Sequence, residues 1–255
     1  MNGSENTVNG NTGQRPVLVF LHYFGGSAKS WQFVISELDS YYSCIAIDLP
    51  GFGNTAMLAK SSLNSYADFV RQELIAKGVT HYILIGHSMG GKIALQCAVD
   101  DYKNEQLRGL ILVAPSPPSF EDIPESEQAK MREIPDIEQS KSKVEADTVI
   151  RLTDERSDVA INTPLEVAAG ARKWWIDEGT RESIAENTRQ LNVPIALIVS
   201  KDDPAINWAM TREQTIPNLP LDVEILTIDT IGHLMPLENP TLIASMISET
   251  LNKKK

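Results

Sequence analysis

Short apolar runs alternate along the chain with longer stretches of helical spacing. The runs have the length of β-strands, and most are near-continuous Val, Ile and Leu, as expected for strands buried on both faces of a sheet. The predicted strands are Val17–His22, Cys44–Asp48, Tyr82–Gly86, Leu110–Val113, Ile195–Ser200 and Val223–Ile228. The predicted helices are Leu63–Lys77, Lys92–Val99 and Thr241–Leu251. This alternation predicts the α/β class, with a mainly parallel sheet flanked by helices.

One long segment between the fourth and fifth predicted strands lacks this alternation. Residues 114–194 contain no convincing strand, and residues 121–158 are dense in charges of both signs. Ligands of open parallel sheets bind beyond the carboxyl ends of the strands, so an insertion at this place is expected to cover the ligand site as a helical cap. We therefore expect a core of residues 16–115 and 190–255 and a cap of residues 116–189. The alternative is a solvated helical decoration without a role in function.

Charge and hydropathy exclude two classes of partner. The chain of 255 residues has 23 Lys and Arg against 34 Asp and Glu, a net charge of -11. Phosphate backbones and anionic lipids bind basic surfaces, which an acidic chain of this kind lacks. We therefore expect no nucleic-acid partner. No apolar run approaches the roughly 20 residues that span a bilayer, so we expect no membrane partner either.

The chain ends and the cysteines favour a cytoplasmic protein. Residues 1–15 are mostly Asn, Gly, Ser and Thr and are expected to form a flexible tail rather than a secretory signal. Cys44 and Cys97 are too few for a disulfide framework, and each lies in an apolar segment typical of a reduced, buried thiol. Residues 253–255 are lysines, which we expect to form a solvated helix end.

Candidate chemistry begins at Gly86-His87-Ser88-Met89-Gly90, a G-x-S-x-G string between a predicted strand and a predicted helix. This setting is typical of a nucleophile elbow, a sharp turn that projects a serine hydroxyl above the sheet. Glycines at both ends remove side chains that would collide where the strand and helix approach each other. A structural turn with an incidental serine is the alternative interpretation.

A serine nucleophile needs a base and an acid elsewhere in the chain. In this kind of fold the order is serine, acid, histidine, and His233 is the histidine that follows Ser88 with room for an acid between them. Asp203, at the carboxyl end of a predicted strand, is our choice of acid, and the adjacent Asp202 is the alternative. The oxyanion of the intermediate also needs donors, for which we choose the N–H groups of Met89 and Phe24, with Tyr23 as the alternative to Phe24.

Four segments together make the chain resemble the α/β-hydrolase superfamily, in particular its cap-bearing serine esterases. His22–Ser27 is similar to the family's oxyanion loop and Gly86–Gly91 to its nucleophile elbow. Asp48–Gly53 is similar to its Asp-x-x-Gly-x-Gly turn, and Gly232–His233 with Glu238–Pro240 to its histidine loop. The resemblance covers nearly all of residues 16–251 and implies the α/β-hydrolase fold.

The chain departs from the family pattern at three places. Tyr23 stands where the family usually has glycine, and Ser200 replaces a glycine common three places before the acid. Members of the family usually begin with an antiparallel hairpin, for which residues 1–15 offer no strand pattern. We therefore expect an essentially all-parallel sheet of about six strands.

The resemblance implies a carboxylesterase-like serine hydrolase with Ser88 as nucleophile, His233 as base and Asp203 as acid, acting on small-molecule esters. Neither a cofactor nor a metal is implied. Tyr23, Trp174, Trp175 and Leu234 are candidate substrate-binding residues. The alternatives are a diketone carbon–carbon bond hydrolase or a perhydrolase with the same triad. A third, from another class, is a ligand receptor with slow or absent turnover.

Overall fold

The computed structural model describes residues 15–101 and 106–253. The strands in this part of the chain are β1 Val17–Leu21, β2 Cys44–Ile47, β3 Tyr82–His87, β4 Leu107–Val113, β5 Ile195–Ser200 and β6 Glu224–Ile228. They form one six-stranded sheet in the order β2-β1-β3-β4-β5-β6, and every neighbouring pair is parallel. The predicted α/β class and the all-parallel sheet of about six strands are confirmed.

Helices follow most of the strands. They are α1 Gln32–Leu38, α2 Leu63–Ala76, α3 Met89–Asp101, α4 Glu125–Arg132, α5 Ile137–Asp147, α6 Asp154–Asn162, α7 Ala169–Trp174, α8 Ala185–Thr188, α9 Trp208–Met210, α10 Met235–Glu238 and α11 Pro240–Lys253. Single 3-10 turns lie at Ala28–Trp31, Thr163–Glu166 and Ile216–Asn218, and π-helical turns at Trp175–Gly179 and Thr211–Thr215.

Two apolar layers enclose the sheet because successive side chains of a strand point to opposite faces. In β1, Val19 and Leu21 belong to a buried cluster with residues of α2 and α3. Leu18 and Phe20 belong to a second cluster with residues of α1 and α11. The near-continuous apolar sequence of the strands is therefore explained by burial on both faces.

The chain between β4 and β5 contains α4 to α8 and, among its described residues, no strand. We call residues 116–189 the helical insertion. Trp174 of α7 stacks on Tyr66 of α2 with ring centroids 4.0 Å apart and an angle of 13° between the planes. The Tyr66 hydroxyl in turn donates a hydrogen bond to the Pro50 carbonyl at 2.7 Å. This stack ties the insertion to the sheet-flanking helices.

Most predicted strand and helix ends lie within two residues of the observed ones, and the larger differences have local reasons. Strand β4 begins at Leu107 rather than Leu110, because Arg108 and Gly109 interrupt the apolar run but still lie beside β3. Helix α3 begins at Met89 rather than Lys92, since two glycines of low helix propensity form its first turn. Helix α1 was not predicted, although Trp31, Val34 and Leu38 have helical spacing and are buried.

The ends of the chain lie mostly outside the described residues. Of the predicted tail 1–15, only Arg15 is described, and it donates a hydrogen bond to the Tyr41 carbonyl at 2.9 Å. Of the terminal lysines, Lys253 is described and pairs with Glu224 at 2.7 Å. Within the described ranges, no helix has both the length and the hydropathy needed to cross a membrane.

Candidate active site

Ser88 lies on the turn between β3 and α3 in a strained backbone conformation. Its φ is 52°, in the left-handed region that non-glycine residues rarely adopt. A β-carbon on Gly86 would lie 2.6 Å from the Gly90 carbonyl carbon, and one on Gly90 would lie 2.5 Å from the Leu21 carbonyl oxygen. The two glycines therefore permit the close contact between strand and helix that the sharp turn requires.

Main-chain hydrogen bonds hold this turn in place. The Ser88 N–H donates to the Val113 carbonyl at 3.0 Å. The Ser88 carbonyl accepts from the N–H groups of Gly91 at 2.8 Å and Ser116 at 3.0 Å. Both ends of the serine backbone are thus attached to the residues around the end of β4. The Ser88 side chain lies at the N-terminus of α3, where the helix dipole favours negative charge.

Asp203 and His233 are brought together by the loops that follow β5 and β6. The Nδ1–H of His233 donates to Oδ2 of Asp203 at 2.8 Å, and both side chains are buried. The other carboxylate oxygen accepts from the N–H groups of Ala205 and Ile206, each at 2.8 Å. Burial disfavours the imidazolium, but the Asp203 carboxylate outweighs it and raises the pKa of His233 above its ordinary value.

The alternative acid, Asp202, has a different environment. Its side chain is exposed, and its Oδ2 accepts a hydrogen bond from the Thr230 N–H at 2.6 Å. Because the carboxylate bonded to the histidine is that of Asp203, the geometry favours Asp203 as the histidine's partner. Asp202 instead caps the turn after β6.

His87 connects the serine turn to the histidine loop. Its Nε2–H donates to the His233 carbonyl at 2.8 Å, and the two rings lie 5.0 Å apart. Burial, together with the nearby His233, lowers the pKa of His87 well below its ordinary value, so this ring is neutral. The residue next to Ser88 is therefore in direct contact with His233, as expected for residues at one edge of a parallel sheet.

The loop after β1 supplies the candidate oxyanion donors. His22 fixes its shape, since Nδ1–H donates to the Tyr23 carbonyl at 2.8 Å and Nε2 accepts from the Leu49 N–H at 3.1 Å. Burial lowers the pKa of His22 to about 4 and keeps the ring neutral. Within residues 15–101 and 106–253, neither the Phe24 nor the Met89 N–H donates a hydrogen bond, and their binding of an oxyanion stays a prediction. The Tyr23 N–H likewise donates no hydrogen bond within these residues. The choice between Tyr23 and Phe24 as oxyanion donor therefore stays open.

The four candidate substrate-binding residues lie in two buried clusters. Tyr23 and Leu234 pack with Leu152 and Ala160 of the helical insertion. Trp174 and Trp175 belong to the larger cluster on the α2 and α3 face of the sheet. Trp174 is the anchor described above, and the Trp175 ring packs against Gly179 within the insertion. Contact of any of the four with a substrate stays a prediction.

Three residues make contacts around the site that the sequence did not predict. The Ser200 hydroxyl donates to the Ile231 carbonyl, which ties β5 to the histidine loop. The Arg172 guanidinium of α7 lies 5.5 Å from the centre of the Phe24 ring. The buried Lys92 ammonium of α3 donates to the carbonyls of Ser119 at 3.1 Å and Thr180 at 3.4 Å. The insertion thus contacts both the loop after β1 and the helix that follows Ser88.

Comparison with known proteins agrees with this architecture. Residues 16–133 match the family model described as alpha/beta hydrolase fold. The chain is 36% identical over 83 residues to the 2-succinyl-6-hydroxy-2,4-cyclohexadiene-1-carboxylate synthase of Shigella dysenteriae serotype 1, a match that covers 32% of each protein. In this and similar curated relatives, the matched stretch covers 27% to 32% of the relative's own length.

Solved structures share the fold over almost the whole chain. An esterase from Exiguobacterium antarcticum superposes with a TM-score of 0.84 at 16% identity, covering 94% of this chain and 93% of that one. The meta-cleavage product hydrolase of Pseudomonas fluorescens IP01 has a TM-score of 0.80 at 20% identity, covering 95% and 93%. The fold is that of the α/β hydrolases. Residues 16–133 match the family model, and the superpositions extend the same fold to almost the whole chain.

Proposed function

We propose that this protein is a serine hydrolase that cleaves carboxylic esters of small to medium size through an acyl-enzyme. The observation that carries the proposal is the buried hydrogen bond of 2.8 Å between Asp203 and His233 Nδ1. This bond leaves Nε2 of His233 as the free ring nitrogen, which is the atom that would accept a proton from a serine. Ser88, on its strained turn, is the nucleophile.

The first half of the reaction forms the acyl-enzyme. Ser88 Oγ attacks the ester carbonyl carbon while His233 Nε2 takes the hydroxyl proton. The tetrahedral oxyanion accepts hydrogen bonds from the N–H groups of Phe24 and Met89. The intermediate collapses, the bond to the leaving oxygen breaks, and His233 returns the proton to the departing alcohol.

The second half releases the acid. A water molecule attacks the acyl carbon while His233 accepts one of its protons. The new intermediate breaks its bond to Ser88 Oγ, and His233 gives the proton back to the serine. Asp203 holds the imidazole in one tautomer and stabilises the imidazolium that forms in both halves. The raised pKa of His233 supports this assignment.

The expected substrates are uncharged, partly apolar esters. Tyr23, on the loop after β1, and Leu234, next to His233 in the chain, pack in an apolar cluster with Leu152 and Ala160 of the insertion, which supports an apolar substrate. We expect a higher kcat/KM for 4-nitrophenyl butyrate than for 4-nitrophenyl palmitate. The reverse preference would argue for a lipase-like substrate. A diketone belongs in the same panel, since one structural neighbour is a meta-cleavage product hydrolase.

Labelling with a fluorophosphonate probe, followed by intact mass, tests the nucleophile directly. We expect the folded wild type to gain one probe mass and the Ser88→Ala and His233→Ala variants to gain none. Thermal unfolding of each variant confirms that it is folded. A folded wild type that stays unmodified would contradict the proposal and favour the receptor alternative. A Ser88→Ala variant labelled like the wild type would show that another residue reacts.

A further inference from the structure

The helical insertion contacts the loop that carries His233 through its main chain. The His233 N–H donates to the carbonyl of Asp147, the last residue of α5, at 2.7 Å. A β-carbon on Gly232 would lie 2.8 Å from both the Thr148 α-carbon and the Val149 nitrogen. The two segments therefore approach as closely as a glycine allows, and the insertion touches the histidine's own peptide group.

Glu238 joins the same two segments from the core side. Its Oε2 accepts hydrogen bonds from the N–H groups of Val149 at 2.9 Å, Ile150 at 2.8 Å and Gly232 at 3.0 Å. The side chain is 3% exposed, so a single buried carboxylate oxygen serves three donors. Two donors belong to the insertion and the third directly precedes His233. Hydrogen bonds to a charged acceptor are stronger than neutral ones, so this junction resists displacement.

Titratable and charged groups of several elements lie near His233. Asp203 lies on the loop after β5, and His87 lies at the end of β3. Asp147 and Lys143 lie on α5 and form an ion pair at 2.7 Å, and their charges act on His233 in opposite directions. Glu121, which precedes α4, is also close enough to interact with it. Two of these charges therefore come from the last turns of an insertion helix.

We propose that the main-chain carbonyl of Asp147 and the carboxylate of Glu238 position His233, and that through them the helical insertion holds the base in its working position. The inference rests on the proposed function, because it assumes that His233 is a base. The insertion then has two tasks: it covers the edge of the sheet where Ser88 lies, and it supports the histidine loop. Displacing α5 would displace the His233 backbone with it.

An NMR titration of the histidine ring signals tests, without requiring turnover, whether the last turn of α5 lies against His233 as its main-chain contact indicates. The His233 signal is assigned by its absence from a His233→Gln variant. Asp147→Asn removes a negative charge near the ring, and we expect the measured pKa of His233 to fall by about half a unit. Lys143→Gln removes the opposing positive charge, and we expect a rise of similar size. Shifts of the same sign, or none, would overturn the proposal.

A matched control comes from the other end of the same helix. Glu138→Gln also removes one negative charge from α5, where Glu138 pairs with Lys141 at 2.8 Å. At 1.5 Å of rise per residue this charge lies about 13 Å from Asp147, beyond the screening length in physiological salt. We expect no change in the pKa of His233. A shift equal to that of Asp147→Asn would mean that α5 acts only through its net charge, which contradicts a positioning role for Asp147.

The positioning role of Glu238 is tested by the rate of fluorophosphonate labelling across pH. We expect Glu238→Ala to label roughly tenfold to a hundredfold more slowly, since a small displacement of a catalytic group has effects of this size. Glu238→Gln keeps one acceptor oxygen, and we expect it to label at a rate between those of the alanine variant and the wild type. If the alanine variant does not fold, the labelling rate of the glutamine variant tests the role of Glu238. Labelling at the wild-type rate in either folded variant would overturn the proposal. An unlabelled wild type would instead contradict the proposed function and leave the titration result standing.

Discussion

The loops after β1 and β6 each contain a buried histidine, and the two rings have opposite properties. In the first loop, both nitrogens of His22 bond to main-chain groups, and burial lowers its pKa to about 4. In the second, Nδ1 of His233 bonds to the Asp203 carboxylate, and its pKa is raised although the ring is just as buried. Burial alone therefore does not decide whether a histidine in this protein can exchange a proton near neutral pH.

The group to which the ring is hydrogen-bonded decides whether the histidine can exchange a proton near neutral pH. A neutral ring between two peptide groups is a structural link, because it needs one N–H and one lone pair and keeps both occupied. A ring that faces a carboxylate has a stabilised cation and one nitrogen left for chemistry. His22 thus shapes the loop of the candidate oxyanion donors, whereas His233 is suited to move protons.

The largest effect is expected from Asp203→Asn. The amide cannot stabilise the imidazolium and favours the wrong tautomer of His233, so kcat for ester hydrolysis should fall by about 10⁴-fold. Asp202→Asn is the matched control, since Asp202 is exposed and bonds to the Thr230 N–H. That variant should retain kcat within about twofold. Equal losses in the two variants would contradict the assignment of Asp203.

His22→Ala should act mainly on stability. It removes two buried hydrogen bonds, leaves the Leu49 N–H unpaired and opens a cavity, so the free energy of unfolding in urea should fall by about 3 kcal/mol. The midpoint of the pH–activity profile should stay where it is, because His22 carries no proton to exchange in that range. A shifted midpoint without loss of stability would show that His22 belongs to the proton-transfer machinery.

The smallest effect concerns the pH dependence of the wild type. The proposed mechanism needs neutral His233, whose folded-state pKa is raised. The acid limb of kcat/KM should therefore have its midpoint above the ordinary value of 6.5. Below that midpoint the rate should fall by about tenfold for each pH unit as the imidazolium accumulates. The check is a profile from acid to weakly alkaline pH with a neutral ester. A midpoint below 6.5 would mean that burial outweighs Asp203.

Much of the fold and part of the site could be predicted because they depend on short stretches of chain. The strands appear as apolar runs, and the turn at Ser88 is marked by its own glycines. His233 was chosen because it is the histidine that follows Ser88 in the order serine, acid, histidine. Asp203 was preferred to Asp202, and the Nδ1 hydrogen bond of His233 now supports that preference. Its catalytic role stays a prediction, as do those of Ser88 and His233.

The supporting contacts could not be predicted because they join distant segments. Glu238 bonds to Val149 and Ile150 across 88 or more positions of the chain, and no local pattern marks either partner. Ser200 stands where the family commonly has glycine, and its hydroxyl donates a hydrogen bond to the Ile231 carbonyl that the sequence does not indicate. Such pairings depend on how the insertion folds back, which hydrophobic periodicity does not encode.

The contact at Gly232 limits how this chain can be recombined with other chains of the same fold. A β-carbon on Gly232 would collide with Thr148 and Val149. The insertion and the histidine loop are therefore matched in shape, and neither can be exchanged alone. A chimaera that receives a foreign insertion would need the matching loop from the same donor. An exchange of the insertion that is meant to change the substrate range should therefore succeed only when the histidine loop is transferred with it.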